Sequence, residues 1–209
     1  MPMRARGLLN IVLWPPPFTP RALGGLEAWF DAATLQLADA DSVTTWTDSS
    51  GKARDVTQAT AAKKPVYKAN IINGRPVVRF DGTDDWLANT VSANWTAFSG
   101  QDLPMSIFIA FQFAATTANM TLAGFTKDTG VVGRHLYQNL GVGPEYRLLR
   151  TDDAAVGATQ VAGTPNTNAH ILSSIFSGIA GDMFLDGSAL ASGTSLDVGV
   201  LTTDELFVG

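Results

Sequence analysis

Turn dipeptides punctuate this chain at short intervals, and the runs between them alternate apolar and polar residues with a period of two. Asn73-Gly74 and Asp186-Gly187 are the sharpest of these signals. Both pairs accept the positive φ that a two-residue hairpin turn requires. Asp81-Gly82, Asp128-Thr129-Gly130 and Gly141-Val142-Gly143-Pro144 mark further breaks. The pattern predicts strands over residues 76–80, 105–113, 120–125, 134–138, 145–150, 170–176, 182–185 and 205–208. In the longest of these, Ile107, Ile109, Phe111 and Phe113 share one face, while Phe108 and Ala110 make the other face apolar too. That predicts a central strand covered on both sides. Many short strands at near-regular spacing point to an all-β sandwich or barrel. Helix signals are confined to residues 34–40, enough for one or two turns. Residues 151–168 read either as a polar strand pair with loops or as one long exposed loop.

Composition narrows the class. A chain of 209 residues, 45% hydrophobic and 16% charged, can bury one sizeable core. Fourteen basic against nineteen acidic side chains give a net charge of -5, and no basic cluster exceeds Arg4/Arg6 and Lys63-Lys64, so no nucleic-acid partner is expected. The absence of cysteine excludes disulfides and thiol chemistry, and two histidines do not make a zinc site. No apolar run approaches the roughly 20 residues that span a bilayer, so membrane insertion is not expected. Arg4 and Arg6 followed by 8–14 resemble a short signal peptide, but Asn10 interrupts the run and Pro15-Pro16-Pro17 follow without a small-x-small cleavage site. Residues 1–24 therefore read as an extended, proline-rich arm that lies along its own domain or along a neighbouring subunit.

The tryptophans and aspartates are the candidate site residues. Trp29 and Trp46 lie inside apolar alternation and read as core. Trp86 and Trp95 sit near turns; each is either surface packing or a platform for the apolar face of a pyranose ring, and both are candidate glycan contacts. Asp81, Asp84 and Asp85 on their glycine turn are candidate calcium ligands, or else a turn closed by side-chain bonds to backbone amides. Asp31 and Asp48 read as turn caps. No cofactor other than calcium is indicated. The three glutamates, Glu27, Glu145 and Glu205, stand in no paired-carboxylate frame, and neither a Gly-x-Ser-x-Gly elbow nor a phosphate loop occurs, so no enzyme activity is expected. Asn94-Trp95-Thr96 and Asn119-Met120-Thr121 match the glycosylation pattern, which has meaning only in a eukaryotic secretory setting.

Several of these pieces together resemble a known family. Leu26-x-x-Trp29-x-Asp31-Ala32, Val43-x-x-Trp46-x-Asp48-x-Ser50-Gly51, Pro65-x-Tyr67, Asn73-Gly74 and Val77-Val78-x-Phe80-Asp81-Gly82 are similar to the concanavalin A-like, laminin G-type jelly-roll domain of bacterial surface proteins and tailed-phage virion proteins. Ser106 to Ala110 and Met183-Phe184-Leu185-Asp186-Gly187 extend the likeness, which covers about residues 17–209. The resemblance implies a two-sheet antiparallel β-sandwich over 25–209 behind the arm. It further implies a virion fibre, spike or capsid decoration subunit, homo-oligomeric, bound to other virion subunits through residues 1–24 and touching host-surface glycans. The alternative is a carbohydrate-binding module of a bacterial surface or secreted protein. Such domains usually continue past a strand like Leu206-Phe207-Val208-Gly209, so the expectation is either that the natural protein is longer or that an exposed sheet edge there is covered by a partner chain or by the arm.

Overall fold

Fourteen strands run through the described residues, and the turns predicted at Asn73-Gly74 and Asp186-Gly187 join two pairs of them. The computed structural model describes residues 18–116, 120–126, 134–139, 145–154 and 156–209. The arm before Phe18, the sequon asparagine Asn119 and the turns at 128–130 and 141–144 lie outside the described residues. The strands are β1 (Thr45–Trp46), β2 (Val56–Thr57), β3 (Val66–Ile72), β4 (Arg75–Arg79), β5 (Leu87–Asn89), β6 (Met105–Gln112), β7 (Met120–Thr126), β8 (Arg134–Asn139), β9 (Tyr146–Thr151), β10 (Gly157–Ala162), β11 (Ala169–Ser177), β12 (Ala180–Leu185), β13 (Ser188–Ser195) and β14 (Glu205–Val208). Only 3-10 turns interrupt them among the described residues, and no helix there is long and apolar enough to cross a membrane.

One sheet runs β1-β2-β5-β14-β7-β8-β9-β10, a second β13-β12-β11-β6, and β3 pairs with β4 as a separate hairpin. All pairings between these strands are antiparallel. The chain is thus an all-β sandwich, with a wide sheet on one side and a layer in two pieces on the other. The four-stranded sheet meets β9 through Phe111, Leu148, Leu172, Phe176 and Met183. The hairpin covers the other half, where Tyr67 joins Val56, Leu87, Trp95, Phe125 and Leu206. Both hairpin turns have the required backbone: φ is +50° and +74° at Asn73 and Gly74, and +50° and +80° at Asp186 and Gly187.

Four expectations change. First, among the described residues β6 is the last strand of its sheet. Its inner face is core, but Phe108 is 64% exposed on the outer face, beside Ile171 at 51%. Second, β14 does not form an exposed edge. It lies inside the wide sheet, paired with β5 on one side and β7 on the other. Third, the one or two helical turns over 34–40 reduce to a single 3-10 turn at Ala32–Thr34, begun by the Asp31 carboxylate accepting from Ala33 N–H at 2.9 Å. Fourth, Trp46 and Trp29 are both half-buried and line one groove; Trp46 packs on Phe30 at the margin of the core, with centroids 5.8 Å apart, and Trp29 is not among the residues packed there. The open reading of 151–168 resolves to one strand, β10, paired with β9.

Asp48 caps more than a turn. Buried, it accepts the N–H groups of Trp29 (3.0 Å), Ser50 (2.8 Å) and Arg54 (3.2 Å) and the Ser50 hydroxyl (2.6 Å). Burial alone would raise its carboxyl, but the Ser50 hydroxyl and the three amides outweigh it and hold Asp48 below the ordinary carboxylate value. A depressed value means stability that is complete above about pH 4 and lost as pH falls through the folded-state value. Asp48→Ala is expected to cost about 3 kcal/mol at pH 7. The gap in melting temperature between the wild type and this variant should narrow steadily from pH 5 to pH 2.5; a gap independent of pH would contradict the account.

Candidate glycan-binding loop

The loop between β4 and β5 gathers most of the predicted site residues. It turns at Gly82, where φ is +75°. Asp81 accepts through one oxygen from the N–H groups of Thr83 (2.8 Å), Asp84 (3.2 Å) and Asp85 (3.3 Å). Asp85 reciprocates by accepting from Asp81 N–H at 3.0 Å. Two carboxylates therefore close the loop from opposite ends, which is the turn-closing role expected of Asp81.

That role does not use up the oxygens. One carboxylate oxygen from each of Asp81, Asp84 and Asp85 lies within 4.8 Å of the others. Hard oxygen donors of this kind suit calcium, which takes six to eight of them; backbone carbonyls, water or a ligand's hydroxyls would supply the rest. The cluster is electrostatically loaded. The N–H of Thr83 leads the bonds that hold Asp81 below the ordinary range. Burial pushes Asp85 up, and the charges of Asp81 and Asp84 push it further.

Trp86 follows at once. Its N–H donates to Lys63 O at 3.2 Å, and its carbonyl accepts from the buried Gln58 side chain at 3.3 Å. The backbone is held while the residue remains 38% exposed. The chain's last residue abuts the same loop: a Cβ built on Gly209 would lie 2.7 Å from Asp85 O and 3.0 Å from Trp86 Cα.

Trp95 is a correction. It is fully buried, with its indole N–H on Asn89 O (3.0 Å) and Oδ1 (3.2 Å). Phe98 and Phe125 flank its ring at 6.4 and 5.5 Å, and the Arg54 guanidinium lies 5.1 Å from it. A sugar platform needs an open face, and this ring has none. Sequence reasoning missed Asn89 and Gln58, the buried amides that hold the Trp95 indole and the Trp86 backbone carbonyl. Polar residues beside an apolar run were the available signal, but they look the same as surface polars. The sequon amide of Asn94 donates to Asn89 Oδ1 at 3.1 Å.

No protein-family model matches the sequence, and no curated protein matches it. Solved structures do resemble the fold. Trypanosoma rangeli sialidase, solved with the inhibitor DANA, aligns with a TM-score of 0.57 at 13% identity, covering 92% of this chain and 30% of that one. The carbohydrate-binding module CBM40 of Ruminococcus gnavus IT-sialidase aligns with a TM-score of 0.42 at 12% identity over 56% of this chain and 67% of that one. Module CBM66 from Bacillus subtilis aligns with a TM-score of 0.38 at 16% identity over 69% and 83%. The chain thus spans under a third of the sialidase. At these identities the likeness is one of fold, and it transfers no activity.

Proposed function

We propose that the chain is a non-catalytic carbohydrate-binding β-sandwich whose site is the β4–β5 loop. One observation carries this: the exposed Trp86 directly follows three clustered carboxylates on a loop with a fixed backbone. The C–H face of a pyranose stacks on the indole, and its hydroxyls donate to Asp84 and Asp85. Three clustered negative charges repel anionic sugars, so the preferred ligand is a neutral hexose-containing glycan. Calcium at Asp81, Asp84 and Asp85 would relieve their mutual repulsion and accept ligand hydroxyls.

Trp86→Ala is expected to weaken glycan binding about ten-fold, which corresponds to about 1.4 kcal/mol, with little change in melting temperature. A glycan array with the wild type, in calcium and in chelator, supplies the ligand, and titration calorimetry reads the loss. Silence across the array in both conditions removes the proposal. For the cation, Asp85→Asn separates the effects. Asp85's raised value means that its ionised form destabilises the fold, a cost absent at low pH and growing as pH rises through that value. Without calcium, Asp85→Asn is expected to raise stability by a few tenths of a kcal/mol at pH 7. With millimolar calcium the wild type should gain several degrees and the variant should not. Equal calcium responses would rule out this site.

The place of action follows the sequence resemblance: a tailed-phage virion, as fibre, spike or decoration subunit, with a bacterial surface or secreted protein as the alternative. Detection of the chain by mass spectrometry in purified virions supports the first; recovery only from cell envelopes or medium supports the second.

A further inference from the structure

The outer face of the four-stranded sheet carries a pattern that the fold itself does not use. Inward, β6 and β11 give Phe111, Leu172 and Phe176 to the core. Outward, β6 presents Ser106, Phe108, Ala110 and Gln112, all exposed, and β11 presents Ile171, Ser173 and Ile175. Phe108 and Ile171 are each more than half exposed. A solvent-facing antiparallel sheet ordinarily turns polar residues outward. Here the one charge on the outward side of β6, β11 and β12 is Asp182, which accepts from Gly193 N–H at 2.7 Å. An exposed patch this apolar marks a contact surface. The pairing register shows what fits it. Ser106 stands beside Ile175, Phe108 beside Ser173, and Ala110 beside Ile171. Each row holds one large and one small residue, and the large one changes strand from row to row. Ser173 also has Phe184 on its other side, so the face dips between two rings.

We propose that this face is the interface of a homodimer, two copies stacked sheet on sheet about 10 Å apart. The two-fold axis runs midway between the sheets, parallel to β6 and β11 and between them. It lays β6 of one copy over β11 of the other without changing row. Phe108 then fills the dip over the partner's Ser173, Ile171 sits over the partner's Ala110, and Ile175 over the partner's Ser106. Each contact occurs twice, as a two-fold interface requires. The alternation selects this occupant. A lipid surface or an unrelated protein needs an apolar face, but only a second copy needs every large residue to stand beside a small one. Charge agrees with it: β12 falls outside the facing strands, so the two Asp182 carboxylates lie at opposite rims of the interface. The facing strands cover about 26 Å by about 10 Å, a small interface, so association in the micromolar range is expected.

The test uses the full chain. Sedimentation velocity from about 1 to about 200 µM should show monomer giving way to dimer. Phe108→Ser should weaken association about ten-fold or more without lowering the melting temperature, because the side chain is exposed. Ser173→Phe separates a fitted face from a sticky one. It adds apolar surface, yet it sets ring against ring in the central row, so the dimer should weaken about ten-fold. Phe108→Ser combined with Ser173→Phe puts large over small again and should restore the wild-type dimer. Ala110→Phe, which sets a ring against the partner's Ile171, is an independent variant and should also weaken it. Val161→Glu, exposed on the outer side of the wide sheet, should leave association unchanged. A chain that stays monomeric at the highest concentration overturns the proposal, as does tighter association of Ser173→Phe. Assembly past two copies means an open contact, not a two-fold one, and overturns it equally. None of these outcomes touches the β4–β5 loop, so glycan binding stands or falls separately.

Discussion

Trp95→Ala is expected to destabilise the fold by about 3–5 kcal/mol, enough to leave a marginal domain largely unfolded. The ring fills the centre of the cluster that joins Leu87, Phe125 and Leu206 across the wide sheet. Its removal leaves a cavity and takes the indole donor away from Asn89, whose carbonyl and side chain it meets together. It also uncovers the Arg54 guanidinium, which pairs with Glu27 at 2.6 Å. Trp95→Phe keeps most of the volume without the N–H, and should cost about 1–3 kcal/mol. Urea denaturation measures both. Near-native stability of the alanine variant would show that the cluster does not depend on this ring. The phenylalanine variant should bind glycan as the wild type does, because Trp95 has no face toward solvent.

The second large effect belongs to Arg150, whose side chain from β9 is fully buried. It donates to Asp102 (3.1 Å) and Gly178 O (2.8 Å) through one nitrogen and to Leu103 O (2.8 Å) through another, and its guanidinium lies 5.2 Å from the Phe176 ring centroid. These partners precede β6 and turn β11 into β12, so one cation fastens the ends of both sheets. Burial pulls the guanidinium below its ordinary value, opposed by Asp102 and Asp197; it remains charged at any working pH. Arg150→Ala is expected to cost about 3–5 kcal/mol, since it strands two carbonyls and a carboxylate at a buried position. Arg150→Met, which keeps volume and removes the charge, should lose less. Equal losses in thermal denaturation would mean that packing, not pairing, is what Arg150 supplies.

Strand positions were legible because turn chemistry is local. Asn73-Gly74 and Asp186-Gly187 fall where the hairpins turn, and the strands predicted over 76–80, 120–125, 134–138, 145–150, 170–176, 182–185 and 205–208 all appear within one or two residues. What failed depended on distant neighbours. Phe108 looked like a residue of a covered strand because its side chain is apolar, but whether another layer packs over that face decides its burial, and Phe108 is 64% exposed beside Ile171. Trp95 looked surface-exposed because it follows a turn, yet its burial is settled by an acceptor at Asn89 and rings at Phe98 and Phe125. Within the β4–β5 loop, residue types were readable and roles were not. Asp81 and Asp85 bond to each other's ends of the loop, which spacing alone does not distinguish from a ligand set.

The position of β14 has a consequence for how the chain is made. Its partners are complete once Thr126 has been synthesised, yet the wide sheet stays split between β5 and β7 until Glu205–Val208 leaves the ribosome. Pairings that span about 80 to 120 residues in sequence form slowly, and the divided sheet presents two open strand edges for the whole interval. A nascent chain stalled before residue 205 should therefore be captured by chaperones and cleaved readily by protease, and emergence of residues 205–208 should close the molecule in a single cooperative step.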